Sequence, residues 1–551
     1  AGGVSVAIGE LTDGLDINLD KVPKKYEGLD GTELAISESQ ERMAVVVAPE
    51  HVDEFMKYAA EENLEATIVA VATDTKRLVM HWRGQNITRA FLDTNGVTQR
   101  RKAFVTAPED KDFFTAPEVT DVAKTWLDTM GTLNIASEQG LAERFDSTIG
   151  ARTVLMPFGG KYQKTPVEGM VAKIPVMNGK TTTASIFTHG YDPDLAIWSP
   201  FHGALYAVVQ SIAKLVALGG DRKKVYLTMQ EFFQSLGTNE KAWGQPVSAL
   251  LGAYIAQKEM GVAAIGGKDS MSGTFENLTV PPTLVSFAIV PEHTKNIVSP
   301  EFKQPGNAVL LFDLPRDGEG VPDFDAFKAN CDFLHEAVVA GKVKAMHAVG
   351  QGGVAAAIAQ MAFGNGLGVE IDGAFSAQEL FNLRYGAIVV EANTDDAVEW
   401  VRRDNVCRVG LTRGNGLMEI GDVKIALADL QKAWEEPLNG VFPIKSESGE
   451  GDAELPLFTT YGPRRSESFG KPRVFIPVCP GTNCEYDSAE AFERAGAVAD
   501  VMVLRNNTAQ DLAESIDEMA KRIAQAQIIM FPGGFSAGDE PDGSAKFFAT
   551  A

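Results

Sequence analysis

Only four cysteines occur in 551 residues, Cys331, Cys407, Cys479 and Cys484, and no two are spaced as C-x-x-C. That is too few for a disulfide framework, and the spacing does not suit a zinc ribbon or a dithiol redox centre. No run reaches the roughly 20 consecutive apolar residues that a membrane-spanning helix needs. The segment from Ala1 lacks the basic-then-apolar pattern of a secretory signal. Basic residues are scarce: 50 Lys and Arg stand against 74 Asp and Glu, a formal net charge of −24. Binding nucleic acid or an anionic membrane in general takes a basic face, which this balance opposes. The expectation is no nucleic-acid partner, no membrane partner and a reducing, cytoplasmic setting. The seven histidines are scattered without metal-ligand spacing, so no metal site is assigned to them.

What the chain does have is an internal repeat. Gly2-Gly3-Val4-x-x-Ala7-Ile8 recurs as Gly352-Gly353-Val354-x-x-Ala357-Ile358. Gly14-Leu15-Asp16-Ile17-Asn18-Leu19-Asp20 is echoed by Gly366-Leu367-Gly368-Val369-Glu370-Ile371-Asp372. A strand-like run, Met43-Ala44-Val45-Val46-Val47, is echoed by Gly386-Ala387-Ile388-Val389-Val390. An acidic amphipathic helix follows each, near 50–62 and 394–403. Gly-Gly turn, helix, strand, helix in the same order twice reads as a duplicated α+β subdomain. The chain starts inside one Gly-rich turn and stops soon after another, so it reads as a piece of a longer polypeptide.

Five segments follow from this pattern. Residues 1–100 hold the first copy and 101–296 a connector with a different subdomain. The second copy occupies 297–434, a charged Gly/Ser/Glu-rich linker 435–470, and a new domain 471–551. Within 101–296, strands are expected at 153–156, 169–172 and 284–290. A long apolar helix is expected from Gly203 to Leu218, stopped by Gly219-Gly220, and a second from Pro246 to Met260. Beyond the linker, strand and helix alternate: 474–478, 488–495, 498–504, 509–524 and 528–531. That is the start of a parallel, doubly wound α/β sheet. Its last strand runs into Pro532-Gly533-Gly534-Phe535-Ser536, where glycines allow a sharp turn with outward N–H groups.

These residues carry a family resemblance. Pro480-Gly481-Thr482-Asn483-Cys484 with its acidic helix, and Phe531-Pro532-Gly533-Gly534-Phe535-Ser536-Ala537-Gly538-Asp539, resemble the opening of a class I glutamine amidotransferase domain. Ser37-Glu38-Ser39-Gln40-Glu41-Arg42-Met43 and Gly267-Lys268-Asp269-Ser270-Met271-Ser272 resemble the synthetase core of the phosphoribosylformylglycinamidine synthase family. The resemblance implies duplicated aminoimidazole-ribonucleotide-synthetase-like subdomains followed by an incomplete glutaminase domain. It also implies a reaction in purine biosynthesis. ATP with magnesium phosphorylates the formamide oxygen of formylglycinamide ribonucleotide, and ammonia from glutamine then displaces phosphate to give the amidine. The remainder of the same polypeptide would be the partner, supplying most magnesium ligands. Two other readings stay open: another ATP-dependent synthase of the same superfamily, or a non-catalytic scaffold supporting a partner chain.

The resemblance also implies site residues. Glu38, Ser39 and Gln40 would hold the ribonucleotide, where the second copy has the largely apolar Phe381-Asn382-Leu383. Gly267 and Lys268 would approach ATP and Ser270 the substrate. Smaller family members carry a metal-binding Asn where Lys268 stands. A Gly-Gly turn followed by Lys and Ser suits phosphate oxygens for physical reasons too. Gly534 and Phe535 would offer oxyanion-hole N–H groups. The family nucleophile sits in a G-x-C-x-G elbow, a context that neither Cys479 nor Cys484 has, so the catalytic Cys, His and Glu are expected outside this sequence. Large family members hold a structural magnesium nucleotide at a second, pseudo-symmetric site. Here its positions read Asn178, Gln210, Lys214 and His347-Ala348-Val349-Gly350, with no carboxylate. Hard cations need oxygen ligands. The expectation is a packed element without nucleotide, with Lys214 as a built-in cation held by Asn178 and Gln210.

Overall fold

Apolar and polar residues alternate along the strands and recur every three to four residues in the helices, and the computed structural model shows what those patterns build. It describes all residues except 1–2, 25–26, 38–41, 92–100, 110–112, 117, 177–178, 446–469 and 535–551. The chain divides into two units, residues 1–100 with 454–551, and residues 101–453.

The first segment contains α1 (Gly3–Gly9), β1 (Leu15–Asn18), α2 (Gly31–Ile36), α3 (Val52–Glu61), β2 (Ala70–Ala72), β3 (Arg77–Trp82) and β4 (Gln85–Phe91). Its sheet has the order β2-β1-β3-β4. Ile17, Leu19, Leu78 and Met80 form its core.

The larger unit begins with α4 (Val122–Met130), β5 (Thr153–Leu155), β6 (Gly169–Lys173), β7 (Thr183–Gly190) and α5 (Pro193–Trp198). Next come α6 (Pro200–Ala217), β8 (Tyr226–Phe232), α7 (Glu240–Met260), β9 (Ala263–Lys268) and β10 (Thr283–His293). These strands make one sheet in the order β9-β8-β10-β7-β6-β5, so β9 is its edge. Helix α6 is apolar nearly all round and buried as a consequence.

The unit continues with β11 (Ala308–Phe312), α8 (Phe324–Val339), β12 (Val343–Ala348), α9 (Gly353–Phe363), β13 (Gly368–Ile371) and β14 (Ile388–Ala392). It closes with α10 (Thr394–Trp400), β15 (Val406–Arg413), β16 (Leu417–Ile420), β17 (Val423–Ala426) and α11 (Leu427–Asn439). Their sheet is ordered β12-β14-β11-β15-β13-β16-β17. Trp126 of α4 and Trp434 of α11 are fully buried, each donating its indole N–H to a backbone carbonyl, of Ala355 and Ile135. The last segment holds β18 (Arg473–Val478), α12 (Glu485–Arg494), β19 (Val498–Val503), α13 (Ala509–Gln525) and β20 (Ile528–Ile529). Its strands run parallel in the order β19-β18-β20. The expected class is what forms: duplicated α+β subdomains and the start of an α/β sheet.

The duplication is visible in local chemistry. Strand β1 runs parallel to β3, and β13 parallel to β16. A short capped helix follows in each copy, α2 with an Asp30–Glu33 capping box and 377–381 with a Ser376–Glu379 one. Gly3 (φ +69) and Gly353 (φ +65) lie against the end of that helix. A Cβ on Gly3 would stand 2.5 Å from the Ile36 carbonyl carbon, and one on Gly353 2.6 Å from the Leu380 oxygen. Only glycine fits both the dihedral and the approach.

Three expectations are corrected. Residues 43–47 form no strand, and Met43 is 92% exposed. Their counterpart β14 is buried because β11 and β12 pair with its two edges. Helix α7 starts at Glu240, not Pro246, because Asn239 caps it by accepting from the Lys241 and Ala242 amides. Helix α11 also extends to Asn439, into the expected linker.

Candidate functional site

The Gly-Gly-Lys segment was expected as a turn and is instead the end of edge strand β9. Its register places Gly266, Gly267 and Lys268 opposite Thr228, Met229 and Gln230 of β8, with an irregularity that skips Ile265. All six β9 residues are exposed. A Cβ on Gly267 would come 2.6 Å from the Met229 oxygen, so close strand approach requires glycine there.

Beyond Lys268 the chain stays clamped to β8. The Ser270 amide donates to the Glu231 carbonyl at 3.1 Å, and the Phe233 amide donates to the Ser270 carbonyl at 2.9 Å. Gly273 N–H donates to the Phe233 carbonyl at 2.9 Å. The Ser270 and Ser272 hydroxyls share a hydrogen bond of 2.8 Å. Among the described residues, Lys268 Nζ reaches only the Asp269 carbonyl, at 3.4 Å. This edge therefore combines an outward ammonium, a hydroxyl pair and close backbone, a combination suited to an anionic ligand.

Sequence reasoning missed Glu231 of β8, 8% exposed beneath this segment. Its Oε1 has no hydrogen-bond partner. Burial, reinforced by the Asp269 charge, pushes its carboxyl up to about 7. A lone Glu in a strand with Leu227 and Phe233 on its buried face is the only sequence signal it leaves.

Glu38, Ser39, Gln40 and Phe535 lie outside the described residues. Gly534 is described, at φ +136, bridged to Thr482 and packed on 481–483. Burial raises the Cys479 thiol to about 11, which keeps it un-ionised at neutral pH.

The second Gly-Gly turn is closed by the chain's own groups. Gln210 Nε2 donates to the Val349 carbonyl at 3.0 Å. Lys214 Nζ lies 2.9 Å from Glu168 Oε1, and His347 Nε2 lies 3.7 Å from Glu168 Oε2. The Lys214 partner is thus Glu168 and not Gln210, while Asn178 lies outside the described residues. The expected alignment overlooked Glu168 because it follows Pro166-Val167, before β6 and away from the motif. Burial pushes the Glu168 carboxyl up, but Lys214 and His347 together overcome it and hold the carboxyl below its ordinary range. The space between Glu168, Lys214 and His347 is about 10 Å³, room for one water at most. A magnesium nucleotide does not fit these residues. No group of three or more His, Cys, Asp or Glu among the described residues could hold a metal ion, and no described helix is long and apolar enough to cross a membrane.

Comparison with known proteins agrees with this geometry. Residues 1–83 and 306–413 match a model of the AIR synthase related protein C-terminal domain, which captures the duplication. Residues 471–551 match a CobB/CobQ-like glutamine amidotransferase domain. The phosphoribosylformylglycinamidine synthase subunit PurL of Thermoplasma acidophilum is 25% identical over 478 residues, covering 80% of this chain and 61% of the relative. The subunit of the same name from a Nocardioides strain is 26% identical over 478 residues, covering 79% and 61%. This chain therefore spans about three fifths of such a relative's length. Among solved structures, Thermotoga maritima PurL complexed with AMPPCP superposes with a TM-score of 0.54 at 19% identity, covering 75% of this chain and 63% of that one. The ATP complex of the same protein gives 0.52 at 19% identity, covering 75% and 62%. These two show the fold.

Proposed function

We infer that this chain, which belongs to the phosphoribosylformylglycinamidine synthase family, supplies one wall of an ATP-dependent ligase site and the start of a glutaminase domain. The reaction is the conversion of formylglycinamide ribonucleotide, with ammonia drawn from glutamine, to the amidine in de novo purine biosynthesis. The observation that carries the reading is the edge strand β9, fully exposed, ending in Gly267 and Lys268 and leading to Ser270. Gly267 lets polyphosphate approach backbone. Lys268 offsets the charge that builds on the transferred phosphoryl group, and Ser270 holds the acceptor. The phosphoryl group passes from ATP to the formamide oxygen, ammonia attacks the activated carbon, and phosphate leaves.

The remainder of the same polypeptide completes the site. Supporting this, the outer face of the β8–β10–β7 sheet carries a stacked Phe187–Phe287 pair, with Tyr226 54% and Ile265 69% exposed nearby. Such an apolar face next to an unpaired edge suits a second sheet. The described residues here do not form a magnesium ligand set, so the metal's ligands come from outside them. A cytoplasmic location fits a chain with four free cysteines.

The test is turnover. The isolated chain is expected to form no amidine and to hydrolyse no glutamine, whereas a longer polypeptide that includes it should do both. Glutamate release by the isolated chain that disappears in Cys484→Ser would contradict the reading of the glutaminase segment. Amidine formation by the isolated chain would contradict the shared site.

A further inference from the structure

Among the described residues, Glu231 is the buried acid that touches the proposed nucleotide edge without a role in it. Its backbone carbonyl accepts from the Ser270 amide at 3.1 Å and from Gln230 Nε2 at 2.9 Å, so it anchors the start of the 270–273 segment. Its carboxyl is 8% exposed, and Oε1 has no partner. A buried oxygen without a donor is costly when ionised and much less so when protonated. Across the sheet, β10 places uncharged Leu284 opposite it. From the β9 side the nearest acting charge is Asp269, while the Lys268 ammonium turns to the Asp269 carbonyl. Gln230 and Phe232, its neighbours on β8, are uncharged. Nothing in this surround compensates a negative Glu231.

We propose that Glu231 is a positioning residue whose proton keeps the Lys268–Ser270 segment seated, so that the ATP affinity of this edge depends on the protonation of one buried carboxyl. This rests on the nucleotide reading above. When Glu231 loses its proton, two like charges, Glu231 and Asp269, flank the clamp and the buried one seeks water. The segment then moves off β8, and Lys268 with it. The carboxyl titrates near 7, so the change falls within the working pH range.

The linkage has a definite sign. The folded carboxyl is raised from 4.5 to about 7, so its stabilising contribution is complete below pH 4.5 and is lost as pH rises through about 7. Glu231→Gln keeps the shape of the neutral acid and has no proton to lose.

Two measurements test this. First, the thermal stability of the 551-residue chain from pH 4.5 to 8.5 should fall less steeply in Glu231→Gln than in wild type. Second, in the complete enzyme the wild-type KM for ATP should rise up to roughly tenfold per pH unit above pH 7. Glu231→Gln should hold its KM constant from pH 6 to 8.5, and Glu231→Ala, which has no proton to lose either, should be equally flat but at a higher KM, because it no longer fills the space beneath the segment. Equal stability slopes in wild type and Glu231→Gln would overturn the buried proton. Parallel KM profiles alongside different stability slopes would overturn the coupling. Loss of all ATP binding in both proteins, with the slopes still different, would instead defeat the nucleotide reading and the coupling that rests on it.

Discussion

Lys214→Ala is expected to destabilise the unit formed by residues 101–453 by about 2–4 kcal/mol, below the usual range for a fully buried pair because water reaches part of this one. The side chains of Lys214 and Glu168 are 15% and 31% exposed. Removing the ammonium leaves Glu168 with only the imidazoles, His347 at 3.7 Å and the weaker influence of His189. The double variant Lys214→Ala/Glu168→Gln should recover a large part of the loss, since the uncompensated charge is then gone. Chemical denaturation of the four proteins of this cycle measures it. The pH dependence gives a further check. Glu168 is held below its unfolded value of 4.5, so its contribution is present above that pH and is lost as pH falls through the lower folded value. Lys214→Ala should remove that acid-side loss. A fully additive cycle, with each single change costing little, would mean the pair is not what closes this turn.

Lys268→Ala is expected to lower kcat/KM of the complete enzyme roughly 10- to 100-fold, the equivalent of ~1.5–3 kcal/mol for a charge-assisted hydrogen bond. The effect should concentrate in the step that develops charge on phosphate, so kcat falls along with kcat/KM. Stability should scarcely change, because Lys268 is exposed and, among the described residues, reaches only the Asp269 carbonyl, at 3.4 Å. Lys268→Arg is an informative companion. A planar guanidinium keeps the charge but not the compact donor geometry, so it should recover only part of the activity. Unaltered kinetics in Lys268→Ala would remove the residue from the site.

Much of this fold is legible in the sequence because its signals are local. The apolar run of α6, the alternating residues of β10 and the strand–helix rhythm after residue 471 each announce an element within one window. The repeat announces the duplication, and the capping boxes at Asp30 and Ser376 confirm it at the level of single hydrogen bonds. Partners are not local, and there the reading fails. Residues 43–47 have the composition of a buried strand yet form none, because a strand needs neighbours and its counterpart β14 has two. Gly266-Gly267 looks like a turn, while the β8 ladder extends it as an edge strand. Lys214 is correctly picked out as a built-in cation, but its counter-ion, 46 residues earlier in sequence, is visible only once β6 and α6 are packed. Glu231 is invisible for the same reason. Its orphaned oxygen belongs to the tertiary environment and not to the motif.

Nucleotide-dependent protection of backbone amides tests the central claim most directly. Hydrogen exchange would be measured on the complete enzyme with and without ATP and substrate. The account predicts slowed exchange through Ala263–Gly273, where the edge strand presents Gly267, Lys268 and Ser270, and no change through His347–Gly353, where Lys214 and Gln210 already fill the turn. Protection at His347–Gly353 with none at Ala263–Gly273 would contradict it, placing the nucleotide at the turn that the chain's own side chains close.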